Sequence, residues 1–339
     1  PGGPVLLRIE APDRDYSVEP AASAVDLGVD QGGGPYLTYA DPPPDVTFRL
    51  SGLDPWDLDL DMLQIFSWET AWWDLFPPVE PAGGETSLDL VYTWYGTLLA
   101  PGDAVHIMQF RAAPVGDFTA MTSVAAGSAT IAAAAPAAVA IAMDPLTPNR
   151  TIDLDWRATD FEALGASMGA GQTGTGQHVL VVAALPAPLA QPSPVTASAT
   201  VDYLDVLGSA GSDLAATLDY AAHMGTDYQE YLYVHYLVTV ERTAPGAALP
   251  TSFYPTVMEQ LAAVPATIEP VIGPVVAPRI GGQDALGDLA GVGTTPVLEW
   301  SPPSLGAATH YEVDVREIYA DGATTLRGTS VCGGVARGR

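Results

Sequence analysis

The chain is 339 residues long and carries 40 acidic residues against 12 arginines and no lysine, a formal net charge of −28. Nucleic acid and anionic membrane surfaces are excluded as partners, because no basic face can be assembled to meet phosphates. The absence of lysine also excludes a Schiff-base lysine and a complete phosphate-binding P-loop.

Only 15% of the residues are charged and 48% are apolar, which is too apolar for a disordered acidic tail and enough for packed cores. The 34 glycines and 31 prolines suit many short strands joined by turns better than a helical protein. One cysteine, Cys332, leaves no disulfide within the chain. The most apolar run, residues 125–143, is alanine-rich and interrupted by Gly127 and Pro136, so no transmembrane segment is predicted. The chain begins at Pro1 without a signal peptide and is expected to be a processed product or a piece of a longer protein.

Period-two alternation predicts strands over residues 5–10, 46–51, 62–68, 87–95 and 104–112. Further strands are predicted over 129–133, 138–143, 150–157, 178–185, 196–207 and 231–242, then over 275–280, 296–300 and 309–319. Turn clusters punctuate them at 31–35, 41–45, 77–78, 83–84 and 301–304. Short helices are predicted at 161–168, 214–224 and 253–263.

A faint repeat runs through this pattern. Asp45-Val-Thr-Phe-Arg-Leu50, followed by Asp54, aligns with Thr151-Ile-Asp-Leu-Asp-Trp156, followed by Asp160, at an offset of 106. Residues 105–111 resemble 234–240 at an offset of 129, so a second copy would carry an insertion. Two copies of one sandwich explain this; so does the shared composition of alternating strands. Residues 116–127 thin out between the two copies, and four prolines in 265–278 suit a stiff linker. The expected domains are an acidic, Trp-rich β-sandwich over 1–125, a second sandwich with short helices over 126–270, and a smaller unit over 271–339. Their net charges are −15, −11 and −2.

In the last unit, Val275-Val-Ala-Pro-Arg-Ile280 reads as a first strand. Thr295-Pro-Val-Leu-Glu-Trp-Ser-Pro-Pro-Ser304 and Thr309-His-Tyr-Glu-Val-Asp-Val-Arg-Glu317 follow it. A Trp closing the second strand, a proline-rich turn and a Tyr opening an alternating third strand resemble the start of a fibronectin type III domain. Leu298 and Trp300 share one strand face, and Tyr311, Val313 and Val315 another, so the two can close a core. About 65 residues are covered, whereas the family needs 90–100 and seven strands; residues 331–339 do not read as strand. The resemblance implies a spacer or binding surface and carries over no active-site residue. The expected fold class is all-β, with tandem antiparallel immunoglobulin- or fibronectin-like sandwiches and a few short helices.

Motifs for catalysis are sparse. Gly165-Ala-Ser-Met-Gly169 matches the spacing of a nucleophile elbow, but a helical stretch precedes Ser167 and a loop follows, the reverse of what an elbow needs. The five histidines, His106, His178, His223, His235 and His310, include no pair three to five residues apart, so no helical metal pair forms. His106 and His235 recur at matching places in the repeat and are expected on strand faces. Asp57, Asp59 and Asp61 alternate and in a strand would share a face; the expectation is a solvated acidic edge, with Ca²⁺ binding as the alternative. No cofactor is expected.

Five of the seven tryptophans fall between residues 56 and 94. Trp72 and Trp73 are adjacent, in what reads as a connecting segment, with Glu69 and Asp74 beside them. Together with Trp56 they are the predicted binding surface, for a protein or a neutral glycan, because an indole stacks on a sugar ring and carboxylates accept hydrogen bonds from hydroxyls. The functional expectation is a non-catalytic structural or adhesive segment of a secreted or cell-surface bacterial protein. The alternative is a glycan- or protein-binding accessory region of a larger surface enzyme or receptor.

Overall fold

The computed structural model describes residues 7–11, 14–18, 45–67, 72–76, 82–93, 99–133, 138–167, 176–186, 201–209, 211–226, 228–244, 247–253, 256–285, 289–293, 296–308, 311–321 and 325–336. The protein is mostly β, with 58% strand, one α-helix and several antiparallel sheets. Strands β1 (Leu7–Ala11) and β2 (Arg14–Val18) pair as an antiparallel hairpin.

In β3 (Asp45–Ser51) every second residue is buried, and Val46, Phe48 and Leu50 form the buried row. This half-buried period is what places a strand at the face of a sandwich. β4 (Asp61–Ser67), β5 (Trp72–Phe76), β6 (Ser87–Thr93), β7 (Ala104–Val115) and β8 (Phe118–Thr130) follow. β3 pairs with β6 over seven residues, while β4 lies between β5 and β7, and β7 pairs with β8. β9 (Ala138–Ala142) then runs parallel to β3, and β10 (Asp144–Pro145) pairs with β8. Val46, Phe48, Leu50, Leu88 and Leu90 on one side meet Leu63, Ile65, Val105 and Ile107 on the other, which closes a sandwich core.

The same series of pairings occurs again. β11 (Arg150–Trp156) is followed by α1 (Ala158–Ser167), β12 (Gln177–Pro186), β13 (Val201–Ser209), β14 (Leu214–Tyr220) and β15 (Tyr228–Ala244). β16 (Ala247–Phe253), β17 (Thr256–Gln260) and a 3-10 turn, Leu261–Ala263, complete it. β11 pairs with β14 over seven residues, as β3 does with β6. β12 lies between β13 and β15, as β4 does between β5 and β7. Ile268 bridges Trp156 in parallel, where the first unit has β9 beside β3. Helix α1 and its flanks are the insertion that moves the sequence offset from 106 to 129.

The two units are not separate beads. β13 pairs with β8 over Leu204–Gly208, which joins both into one ten-stranded sheet in the order β16-β15-β12-β13-β8-β7-β4-β5. A second core draws Phe66, Met108, Phe110 and Phe118 from the first unit together with Trp156, Leu180, Val206, Leu232 and Val234 from the second. The 125/126 boundary expected from sequence falls inside β8. Residues 116–127 look thin because they are small, not because the chain leaves the fold. Gly127 sits against the Ala142 carbonyl and the Ile141 side chain, where any Cβ would collide.

Two predicted helices are strands. Residues 214–220 form β14, and residues 253–263 hold the end of β16, β17 and the 3-10 turn. Alanine and leucine favour a helix locally, but pairing with β11 and β15 satisfies every backbone group and overrides that weak preference.

Beyond residue 270, β18 (Val276–Ile280) pairs with β19 (Gln283–Asp284) and β20 (Leu298–Ser301). β21 (Tyr311–Asp321) and β22 (Thr325–Ala336) form a long hairpin. The tail from 331, read from sequence as non-strand, is therefore strand as far as Ala336. Glycines at 333 and 334 obscured it, although in the hairpin they pair with Asp314 and Val313.

Candidate functional site

The acidic stretch 57–61 is a turn rather than a strand. Residues 58–60 form it, and Asp61 opens β4. The Asp59 N–H donates to Asp57 Oδ1 at 3.0 Å, and the Asp57 N–H to Asp61 Oδ2 at 2.9 Å. Arg111 on β7 reaches across. Its Nε donates to Asp61 Oδ1 at 2.7 Å and its Nη1 to Asp54 Oδ2 at 2.5 Å, while Nη2 reaches the Pro55 carbonyl at 3.0 Å. Gln109 Nε2 adds a bond to Asp61 Oδ2 at 2.8 Å. The hydrogen bond to Asp61 raises the Arg111 pKa further above its ordinary value, against burial, with Asp54 adding to it. The Asp61 side chain is fully buried and a guanidinium fills the place a Ca²⁺ would take. Among the described residues no three His, Cys, Asp or Glu side chains converge as a metal site.

The predicted aromatic surface is divided. Trp56 is only 7% exposed and packs in the first sandwich core, so the indole offers little to a ligand. Trp72, Trp73 and Asp74 belong to β5, paired with Ser67, Phe66 and Ile65, and not to a connecting segment. Glu69 lies outside the described residues. Ser167 ends helix α1, so the Gly-x-Ser-x-Gly stretch has a helix before the serine.

Two clusters were not found from sequence. In the first, His178 on β12 is wholly buried, and its Nε2 lies 2.7 Å from Glu162 Oε1 of α1. Glu162 also accepts the Gly211 N–H at 2.5 Å. Tyr236 stacks on the imidazole at 4.6 Å and Trp156 meets it edge-on at 5.6 Å. His178 and Glu162 are 16 residues apart, on a strand and a helix whose packing nothing local announces. The ring is enclosed by Trp156, Tyr236 and Phe118, so this pair clamps α1 onto the sheet.

The second cluster lies at the seam of the two units. Asp202 and Asp205 on β13 are three residues apart and in a regular strand would face opposite ways. A bulge after Asp202 changes this, because Asp202 pairs with Ala183 and Asp205 with Val181, which share one face of β12. Both carboxylates are at most 5% exposed. Gln64 Nε2 of β4 donates to Asp202 Oδ2 at 2.6 Å, across a sheet that places three strand steps between them, so the sheet is strongly coiled here. Asp205 Oδ1, Gln64 Oε1, Ser123 Oγ and the Tyr233 hydroxyl are buried without a hydrogen-bond partner. Burial, and then the charge of Asp202, push Asp205 well above the usual carboxylate range.

Comparison with protein-family models, with curated proteins and with solved structures returned no match. The chemistry of these clusters therefore stands on their geometry.

That geometry predicts a pH response. With its pKa raised on folding, Asp205 holds a proton that the unfolded chain releases. The stability tied to that proton is complete at low pH and is lost as pH rises above about 4, toward the folded value. Asp205→Asn mimics the protonated acid and releases no proton. Its urea midpoint at pH 7 is expected to exceed that of the parent, with the two converging near pH 4. Equal midpoints at both values would show that Asp205 is ionised in the fold.

Proposed function

We propose that the chain is a non-catalytic structural segment of a secreted or cell-surface bacterial protein, acting as a stiff spacer or adhesive module. The duplicated sandwich carries this reading, because the two copies share one ten-stranded sheet and a core drawn from both. Such a seam resists bending in a way a flexible linker does not. The titratable clusters are consistent with the same role. Arg111 ties down a turn, Glu162 and His178 clamp a helix, and neither arrangement opens a cleft around its reactive groups. The reading of residues 275–339 as fibronectin type III-like is supported by the antiparallel β18–β20 pair and by Trp300 meeting Tyr311 edge-on at 5.3 Å.

Calorimetry tests the spacer reading. Residues 45–270 are expected to melt in one cooperative transition, because neither unit keeps its core without the other. Two transitions, with one half surviving proteolysis alone, would sink it. Intrinsic fluorescence titrated with a panel of neutral glycans is expected to show no quenching or shift. A saturable shift that Trp72→Ala abolishes would instead establish the glycan-binding alternative.

A further inference from the structure

The two units differ at one place that is not an active-site motif. In the first, Asp144 and Pro145 leave β9 and zip onto Ala126 and Ala125 of β8, and the Leu146 N–H continues the pairing to the Val124 carbonyl at 2.8 Å. Through the parallel pairings of Ile141 with Leu50 and of Ile268 with Trp156, the equivalent residues of the second unit are Val271 and Ile272. Among the described residues these have no corresponding strand pairing. A cavity of about 280 Å³ opens there instead. Leu232, Val257 and Ile268, all buried, make its floor. Ala263 and Val264 form a wall, and Glu259 and Glu269, both exposed, stand at its rim.

Val271, at the mouth, is 56% exposed, and Ile272 and Leu305 are exposed beside it. The Leu305 carbonyl accepts the Gly273 N–H at 2.9 Å, which holds these apolar groups together. A polar Asp-Pro pair suits the closed position in the first unit, whereas Val-Ile at the open one leaves an apolar lip that water does not favour.

We propose that this cleft, between β17 and residues 268–272, docks an extended peptide segment of a partner protein, with one apolar side chain in the cavity and an arginine or lysine beside it. The volume admits one leucine- or phenylalanine-sized side chain rather than a drug-sized ligand. The missing strand pairing leaves room for an extended backbone, as in strand addition at a sheet edge. Charge selects the partner. Glu259 and Glu269 flank the opening, no ion pair to either exists among the described residues, and a chain of net charge −28 attracts a basic segment. The proposal does not rest on the spacer reading, since an enzyme or a spacer could carry such a cleft.

The test uses the whole chain and a capped, fluorescent ten-residue peptide with a Leu-Arg-Leu-Arg core in a glycine–serine background. Anisotropy at low salt is expected to give saturable one-to-one binding, with a Kd on the order of tens of micromolar. Ala263→Phe fills the cavity from its exposed wall and leaves the charge unchanged; it is expected to weaken binding at least about tenfold. The double variant Glu259→Gln/Glu269→Gln is expected to weaken it about three- to tenfold at low salt, and less at high salt. A peptide with serine in place of leucine is expected not to saturate. Absence of binding to the parent overturns the proposal. So does an Ala263→Phe variant that binds like the parent, because that outcome would be diffuse attraction to an acidic surface. Should Ala263→Phe lose its cooperative melt, the double Gln variant and the serine peptide decide the question, and unchanged binding in both rejects the cleft.

Discussion

A Trp156→Ala variant is expected to lose about 3–5 kcal/mol of folding stability, the range for deleting a fully buried aromatic side chain. Trp156 ends β11, is wholly buried, and lies 5.4 Å from the Phe118 ring and 5.6 Å from His178. Phe118 belongs to the first unit and His178 to the second, so the indole fills the space where the copies meet. Its Nε1 has no hydrogen-bond partner. Trp156→Phe therefore gives up no polar contact and is expected to cost under about 2 kcal/mol. Urea denaturation read by far-ultraviolet circular dichroism measures both. A Trp156→Ala midpoint within error of the parent would show that the seam is not a packed core. The same substitution is expected to loosen α1, because the imidazole clamped by Glu162 rests against the indole.

Arg111→Met is expected to cost about 3 kcal/mol, because it leaves the buried Asp61 carboxylate without its cation. The arginine itself is partly exposed, which keeps the figure at the low end of what breaking a buried pair costs. Arg111→Lys is expected to recover only part of the loss. An ammonium cannot reach Asp61, Asp54 and the Pro55 carbonyl together as the planar fork does. The double variant Arg111→Met/Asp61→Asn separates charge from packing and is expected to be more stable than Arg111→Met alone. If Arg111→Met melts with the parent, the turn at 58–60 is held by its own hydrogen bonds and not by the guanidinium.

The contrast between these two residues shows how legible the protein is from its sequence. Val46, Phe48 and Leu50 alternate with polar residues, and that period alone predicts a strand with one buried face, which β3 has. Residues 214–220 read as helix because alanine and leucine dominate, and nothing local reveals that β11 lies alongside to pair with them. Arg111 is one of only four arginines in the first 125 residues, among nineteen acids, so a carboxylate partner was to be expected. Its choice of Asp54 and Asp61 depends on β7 lying beside β4, a pairing of residues about fifty apart. Asp57, Asp59 and Asp61 alternate as strand residues do. The chain turns instead, because Asp57 and Asp61 each accept backbone N–H groups within the segment.

Composition and periodicity by themselves determined that this protein is β-rich, strongly acidic, without a basic face, and built around a recurring strand pattern. Those properties depend on residue type and on neighbours a few positions away, which a sequence displays directly. Only the tertiary structure decided that β13 joins β8 to make the two copies one sheet, that a bulge turns Asp202 and Asp205 to the same buried face, and that His178 meets Glu162. It also decided that the second unit leaves a cleft where the first closes one. Each of these depends on which strand edges meet and in what register, and residues about 15 to 140 apart in the chain have no local signal by which to show that they touch.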